Sequence, residues 1–208
     1  MTENALAETR SGQPPDRPLF AKGSTVRSTL AFLRAEQGDD QVARVLHSLP
    51  PVTRDRLTLA EPTEELPFVL VRELWEAVDT LLGAGDPKWS ERAGSYSIES
   101  AGVQFYGGIL RKSNPTEFLT QSVSLFRLFY RPGDMEVVLA APGSAVLRLI
   151  GCEPGTRLFC QRQTGGLRRA LTLAGGASPR ARHVRCVLEG DAFCEWELGW
   201  SDGESRGS

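Results

Sequence analysis

The chain has 208 residues, of which 40% are hydrophobic and 24% charged, and a formal net charge of −2. This composition suits a soluble globular domain long enough to bury a core without staples, and its charge balance excludes a generic polyanion binder. No apolar run approaches the ~20 residues that span a bilayer. The polar opening MTENALAETRSGQPPDRP is no secretory signal, so the expected location is the cytoplasm, where the cysteines stay mostly reduced.

In chain order, residues 1–18 and 201–208 read as disordered tails around one domain over 19–200. Ser24 is placed to cap a helix with Val26, Leu30 and Leu33 at helical spacing. Gly38 ends it, and Asp39–Asp40 open a second helix that runs through Leu49. Pro50–Pro51 break the chain before a short helix from Val52 to Leu57. The stripe Leu70, Leu74, Val78 and Leu81 predicts a central helix over Phe68–Leu82. A further helix is expected from Lys88 to Leu110, where Gly94, Gly102, Gly107 and Gly108 point to close packing or a bend. Asn114-Pro115 starts another that runs to Tyr130, and Pro132-Gly133 stops it. The period then changes to two, giving strands over Asp134–Ala140 and Ser144–Ile150 around Ala141-Pro142-Gly143. A helix over Glu153–Ala174 follows.

The last segment, HVRCVLEGDAFCEWELGW from His183 to Trp200, alternates apolar and polar residues on either side of Glu-Gly-Asp and reads as a β-hairpin. Val184, Cys186 and Leu188 share one face; Cys194, Trp196, Leu198 and Trp200 share one on the second strand. Both sets face one core only if paired residue numbers sum to an even value. A loop over Glu189, Gly190 and Asp191 meets that condition and sets Cys186 across from Cys194. Three readings stay open for the two thiols: a metal-ligand pair, a cross-strand disulfide, or two small buried hydrophobes. The chain as a whole reads as α+β, with amino-terminal helices packed on an antiparallel sheet and a carboxy-terminal ββαββ unit.

A Cys-x7-Cys hairpin with Gly-Asp between the cysteines, after a Gly-containing amphipathic helix, resembles the 4-vinyl reductase domain. That domain's superfamily also holds haem-NO-binding-type domains and subunits of vesicle-tethering complexes. The segment KGSTVRSTLAFLRAEQGDDQVARVL, Lys22 to Leu46, is similar to the first two helices of haem-NO-binding-like proteins. Over roughly residues 20–200 the chain most resembles a family of myxobacterial proteins related to the 4-vinyl reductase domain. The resemblance implies a zinc site, carried by phenol-sensing relatives, whose matching positions here are Cys160, His183, Cys186 and Cys194. A histidine stands where those relatives carry an acid, and it is still a competent ligand. Three thiolates and an imidazole make an ordinary closed, tetrahedral, structural zinc set. His183 and Cys186 are three apart, so a strand bulge is required for both to face one point. Against the metal stands plain burial, because cysteine also packs as a small hydrophobe. Cys152 falls outside the pattern and reads as core.

The same resemblance raises haem, which needs a histidine on a helix of the second half and a Tyr-x-Ser-x-Arg clamp. The only histidines are His47 and His183, and Phe129-Tyr130-Arg131 is not that clamp; the expectation is no haem. Trp75, Trp89, Tyr96, Phe105, Tyr106, Phe126 and Phe129 are the candidates for lining an apolar ligand cavity, like that of the phenol-sensing relatives, or else ordinary core. Arg157, Arg162, Arg168, Arg169, Arg180, Arg182 and Arg185 crowd a segment whose one acid is Glu153, which marks either a solvated face or a dock for an acidic protein segment. Nucleic acid finds no interleaved aromatics or recognition helix. Catalytic motifs are absent, and a metal held wholly by protein leaves no open position, so no enzymatic reading is offered. The leading expectation is a signalling adaptor or scaffold docking through the Arg157–Arg185 surface, with a small GTPase or response regulator as partner, and dimerisation as in the relatives. The alternative is a sensor of a small apolar ligand in a helical cavity, with the zinc fixing helix to hairpin.

Overall fold

The computed structural model describes residues 18–102, 114–122 and 126–202. Strand β1 (Phe20–Lys22) leads into helix α1 (Gly23–Gln37), followed by α2 (Asp39–Ser48) and α3 (Pro51–Thr58). Ser24 lies inside the first turn of α1 rather than capping it; the cap position is Lys22, in extended backbone. Gly38, at φ 83°, ends α1 as expected, since that conformation costs glycine nothing. Strand β2 (Glu65–Pro67) and α4 (Phe68–Leu82) come next, the helix matching its apolar stripe. Helix α5 (Trp89–Ser97) runs into one π-helical stretch at Ile98–Gly102. The rest of the helix expected to Leu110 lies outside the described residues.

Of the helix expected from Asn114 to Tyr130, the described residues show α6 (Pro115–Ser122) and α7 (Phe126–Phe129), and Tyr130 belongs to strand β3 (Tyr130–Arg131). The reason is β1, which pairs antiparallel with β3 on one edge and β2 on the other, so that Ala21 faces Tyr130 and Leu66. These strands of two or three residues carry no alternation long enough to read. Then come β4 (Asp134–Ala141), β5 (Ser144–Ile150), α8 (Arg157–Leu173), β6 (Gly176–Arg185) and β7 (Cys194–Asp202). The four long strands form one antiparallel sheet in the order β4-β5-β7-β6. Strand β7 reaches into the expected tail because Ser201 and Asp202 pair with Ala177 and Gly176; residues 203–208 and 1–17 lie outside the described ones.

Mixed helices and antiparallel sheets make an α+β fold. Its core runs from α1 and α4 (Leu33, Leu74, Trp75), through α8 (Phe159, Leu171), to the inner face of the sheet (Leu147, Leu149, Cys194, Trp196). Two glycines set how closely α5 and α8 cross: a Cβ on Gly94 would lie 2.1 Å from the Arg162 carbonyl, and one on Gly165 1.8 Å from that of Glu91. Buried serines stitch the crossing, Ser90 Oγ donating to the Leu158 carbonyl at 2.9 Å and Ser95 Oγ to that of Gly165 at 3.0 Å. The close packing read from the α5 glycines is thus realised at Gly94. Among the described residues no helix is long and apolar enough to cross a membrane.

Candidate functional site

Helix α8 is capped by Thr156, whose hydroxyl accepts from the Leu158 N–H at 3.3 Å. One turn in, Cys160 and Thr164 share the face turned to β7. Thr164 donates to the Cys160 carbonyl at 2.9 Å and accepts from Trp196 Nε1 at 2.8 Å. Beside that clasp, Cys160 Sγ lies 3.9 Å from Cys194 Sγ.

The hairpin supplies the rest. Along most of β6 the paired numbers sum to an odd value, as in His183↔Trp196 and Ala181↔Leu198. His183 therefore shares the inner face with Trp196, and the two rings stack at 4.6 Å. The register then shifts by one between His183 and Arg185. That is the bulge which the three-residue spacing demands, and it returns Cys186 to the inner face after His183 has already used it. The register derived from the apolar pattern, which sets Cys186 across from Cys194, is reached beyond the bulge, at Arg185↔Glu195. Cys186 itself leaves the ladder for a 3-10 turn over Val187–Glu189, and Leu188, expected inside, is 40% exposed. Asp191 closes the turn, its carboxylate accepting from the Cys186 N–H at 2.8 Å, with Gly190 at φ 95°.

The outcome is a cluster in which the ligand atoms of Cys160, His183, Cys186 and Cys194 all lie within 4.8 Å of one another. All four cysteines of the chain are free and buried, so the disulfide reading falls. With zinc–sulfur bonds of about 2.3 Å, a tetrahedral site has sulfur–sulfur edges of about 3.8 Å, close to the 3.9 Å separation of Cys160 and Cys194. The buried Nε2 of His183 has no hydrogen-bond partner, a cost that a bound cation would remove. One thiol of the cluster is prepared to be anionic, whereas burial pushes Cys186 up. Cys194 is held down to about 5, first by the hydrogen bond from the Cys160 thiol and then, against burial, by His183. Cys160 is correspondingly pushed up, because its proton is the one being shared with Cys194. Cys152, outside the cluster, is pushed up to about 12 by burial, as an inert core thiol should be.

On the far side of α8 the chemistry differs. Arg162 is 4% exposed, its guanidinium lies 4.6 Å from the Trp75 ring centroid, and its Nη1 has no hydrogen-bond partner. It lines a cavity of about 70 Å³ together with Tyr130, Thr25 and Ile98. Of the residues expected to line a ligand cavity, Trp75 is packed between Arg162 and Phe68, and donates from Nε1 to Thr29 at 3.1 Å. Trp89 is fully buried and donates to Asp79 at 2.6 Å. Tyr96 packs on Phe32, and Phe126 on Tyr130 and Phe159. These four are core residues; Phe129 does line the cavity, whereas Phe105 and Tyr106 lie outside the described residues. Sequence reasoning grouped Arg162 with the surface arginines and missed its role, since nothing in its spacing separates it from them.

No family model matches the sequence, and no curated protein matches it. Solved structures do. An H-NOX protein from S. oneidensis in the Fe(II)NO ligation state is 15% identical with a TM-score of 0.69, covering 87% of this chain and 99% of its own. Unliganded Fe(II) H-NOX from K. algicida is 11% identical with a TM-score of 0.68, covering 89% and 100%. A structure solved in work on haem distortion in the H-NOX family is 14% identical with a TM-score of 0.63, covering 90% and 98%. The fold is H-NOX-like.

Two expectations are corrected here. The adaptor expectation is not borne out, since the similar structures are H-NOX proteins solved in defined ligand states. Most arginines of the expected dock have an ion-pair partner within the chain, although the Arg157 and Arg182 side chains stay 71% and 73% exposed. Arg157 pairs with Glu189, Arg168 with Glu91, Arg169 with Glu99, Arg182 with Glu197 and Arg185 with Glu195. Arg162 is buried, and only Arg180 of the seven is exposed without an ion pair among the described residues. The exclusion of haem is likewise overturned by neighbours that are haem proteins. As for fit, His47 sits exposed on α2 with Nδ1 2.7 Å from the Ala43 carbonyl, and His183 stands in the sulfur cluster. The described residues present no imidazole to the helical cavity, so the chemistry derived below is that of the chain's own side chains.

Proposed function

We propose that this chain is a non-catalytic cytoplasmic sensor domain: a small molecule binds against the helices, and α8 carries its presence to the sheet. The observation that carries the reading is the H-NOX-like fold extending over about nine-tenths of the chain. It is supported by α8 itself, which holds Arg162 at the cavity and Cys160 at the hairpin only two residues apart. A shift of α8 at the cavity must therefore be felt at the cluster, since interiors are close-packed and transmit strain.

The cluster acts as a staple. Zinc held by Cys160, His183, Cys186 and Cys194 would join helix to hairpin and supply no open coordination position, which makes its part structural. This set is the finer point of likeness to the 4-vinyl reductase domain and to the myxobacterial proteins related to it. Output passes to a protein partner.

The test is a thermal-shift screen of the zinc-loaded protein against hemin, small neutral apolar molecules and small organic anions. A saturable shift with at least one class supports the sensor reading, and flat curves for all three would sink it. Metal analysis of protein purified without chelator checks the staple separately, with one zinc per chain expected.

A further inference from the structure

We infer that the cavity beside Arg162 is a binding site for a small carboxylate monoanion. The inference rests on the sensor reading and names the chemistry of its ligand. Arg162 is the one buried arginine of the described residues, and among them no carboxylate forms an ion pair with it. A buried charge without a counter-charge is costly even after relaxation, and a cation–π contact such as that with Trp75 offsets only part of that cost. The remaining deficit is what an anion would remove.

The surroundings fit that anion and narrow its kind. Nη1 of Arg162 has no partner, although it is buried. Tyr130, on β3, and Thr25, on α1, line the same cavity and hydrogen-bond to each other, which leaves one hydroxyl hydrogen of the pair for a ligand. Ser97 also lines it and spends its own hydrogen on Ser28 Oγ at 3.1 Å. A guanidinium is a planar fork whose donors match the two oxygens of a carboxylate. One cation and neutral hydroxyls balance one negative charge, which disfavours a phosphate dianion. Ile98 and Phe129 give the cavity an apolar wall for a short alkyl chain. At about 70 Å³ it is far below the roughly 300–1,000 Å³ of sites for drug-sized ligands. The glycines complete the argument: Gly94 and Gly166 line the cavity, and a Cβ on Gly166 would come within 3.3 Å of Ile98.

Sodium acetate, propionate and butyrate are titrated into the full chain at constant ionic strength in chloride. Acetamide, the neutral near-isostere of acetate, is run beside them, with melting temperature and tryptophan fluorescence as readouts. The expected result is saturable binding of a carboxylate with no response to acetamide. In Arg162→Met that affinity falls about tenfold or more, the usual loss for a charge-assisted hydrogen bond, while the ligand-free melting temperature holds or rises because an unpaired buried charge has gone. Equal responses to acetate and acetamide, or a carboxylate response that survives Arg162→Met, overturn the inference. If Arg162→Met does not fold, the wild-type contrast between acetate and acetamide still decides it. If carboxylates are silent but neutral apolar molecules or hemin bind, the inference falls and the sensor reading stands; if nothing binds, both fall.

Discussion

Two buried polar centres sit on α8 two residues apart, and they meet the cost of burial in opposite ways. Around Cys160, three elements converge ligand-type side chains until each polar atom but one has a neighbour of suitable chemistry, and the exception, His183 Nε2, points to a missing cation. Around Arg162 the cation is already present, and the missing component is negative. A cluster of metal-ligand donor atoms and a lone cation thus lie on opposite faces of one helix. The contrast says which solute each face would attract, because an unpartnered buried charge defines its ligand by what it lacks.

The largest expected effect tests the first centre. With free zinc a thousandfold above its Kd, binding to the folded state alone stabilises it by about 4 kcal/mol. Chelation, Cys160→Ser or Cys194→Ser should each remove that increment, read as a fall in the denaturation midpoint. The three losses should not add, since they break one unit. Acidification should mimic them. The Cys194 thiol titrates near 5 in the folded protein against an ordinary value of 9.0, so the folded state binds fewer protons than the unfolded one between those limits. Its stabilising contribution is therefore present above pH 9, declines as pH falls and is lost below about 5. Metal release should follow the same direction, because protons compete for the thiolates. Zinc retained at pH 4 would show that the metal is held elsewhere.

Gly165→Ala addresses what holds the two centres in fixed relation. Its Cβ would sit 1.8 Å from the Glu91 carbonyl, a backbone atom that cannot move aside cheaply. Separation of α5 from α8 should cost about 2–3 kcal/mol, at the upper end of ordinary overpacking, and should weaken ligand response at the cavity more than zinc retention at the hairpin. Equal loss at both would mean that α8 moves as one rigid body.

How far this was legible from sequence differs between the centres for a physical reason. The period-two pattern of β7 and the three-residue spacing of His183 and Cys186 demanded a bulge, and the bulge is there. Apolar faces and thiol positions are local facts, carried by alternation. The odd-sum register along β6 was hidden because His183 belongs to the inner face and is polar, so the apolar pattern assigned that face to Val184. The strands β1, β2 and β3 were invisible, since two or three residues cannot display a period. Arg162 was read as one more surface cation. Its burial comes from Trp75, Tyr130 and Gly94, all far away in sequence, and no window around residue 162 contains that information.

The smallest effects should come from the other arginines, and their smallness is the point. Arg168 and Arg169 pair with Glu91 and Glu99 across the α5–α8 crossing at 3.1 and 2.6 Å, and the Arg168 side chain is 40% exposed. Exposed pairs of this kind contribute about 0–1 kcal/mol, and less as salt rises. Arg168→Ala and Arg169→Ala should each lower stability by no more than that, and 1 M salt should erase the difference from wild type. Arg162→Met should show no such salt dependence, because its cation is screened by protein rather than by solvent ions. A loss at Arg168 as large and as salt-insensitive as a core substitution would mean that the crossing is held by charge, and the glycine and serine contacts would then have to be demoted. The expected order, glycine contact above ion pair, follows from burial: the Gly165 Cβ would have nowhere to go, whereas the Arg168 guanidinium can return to water.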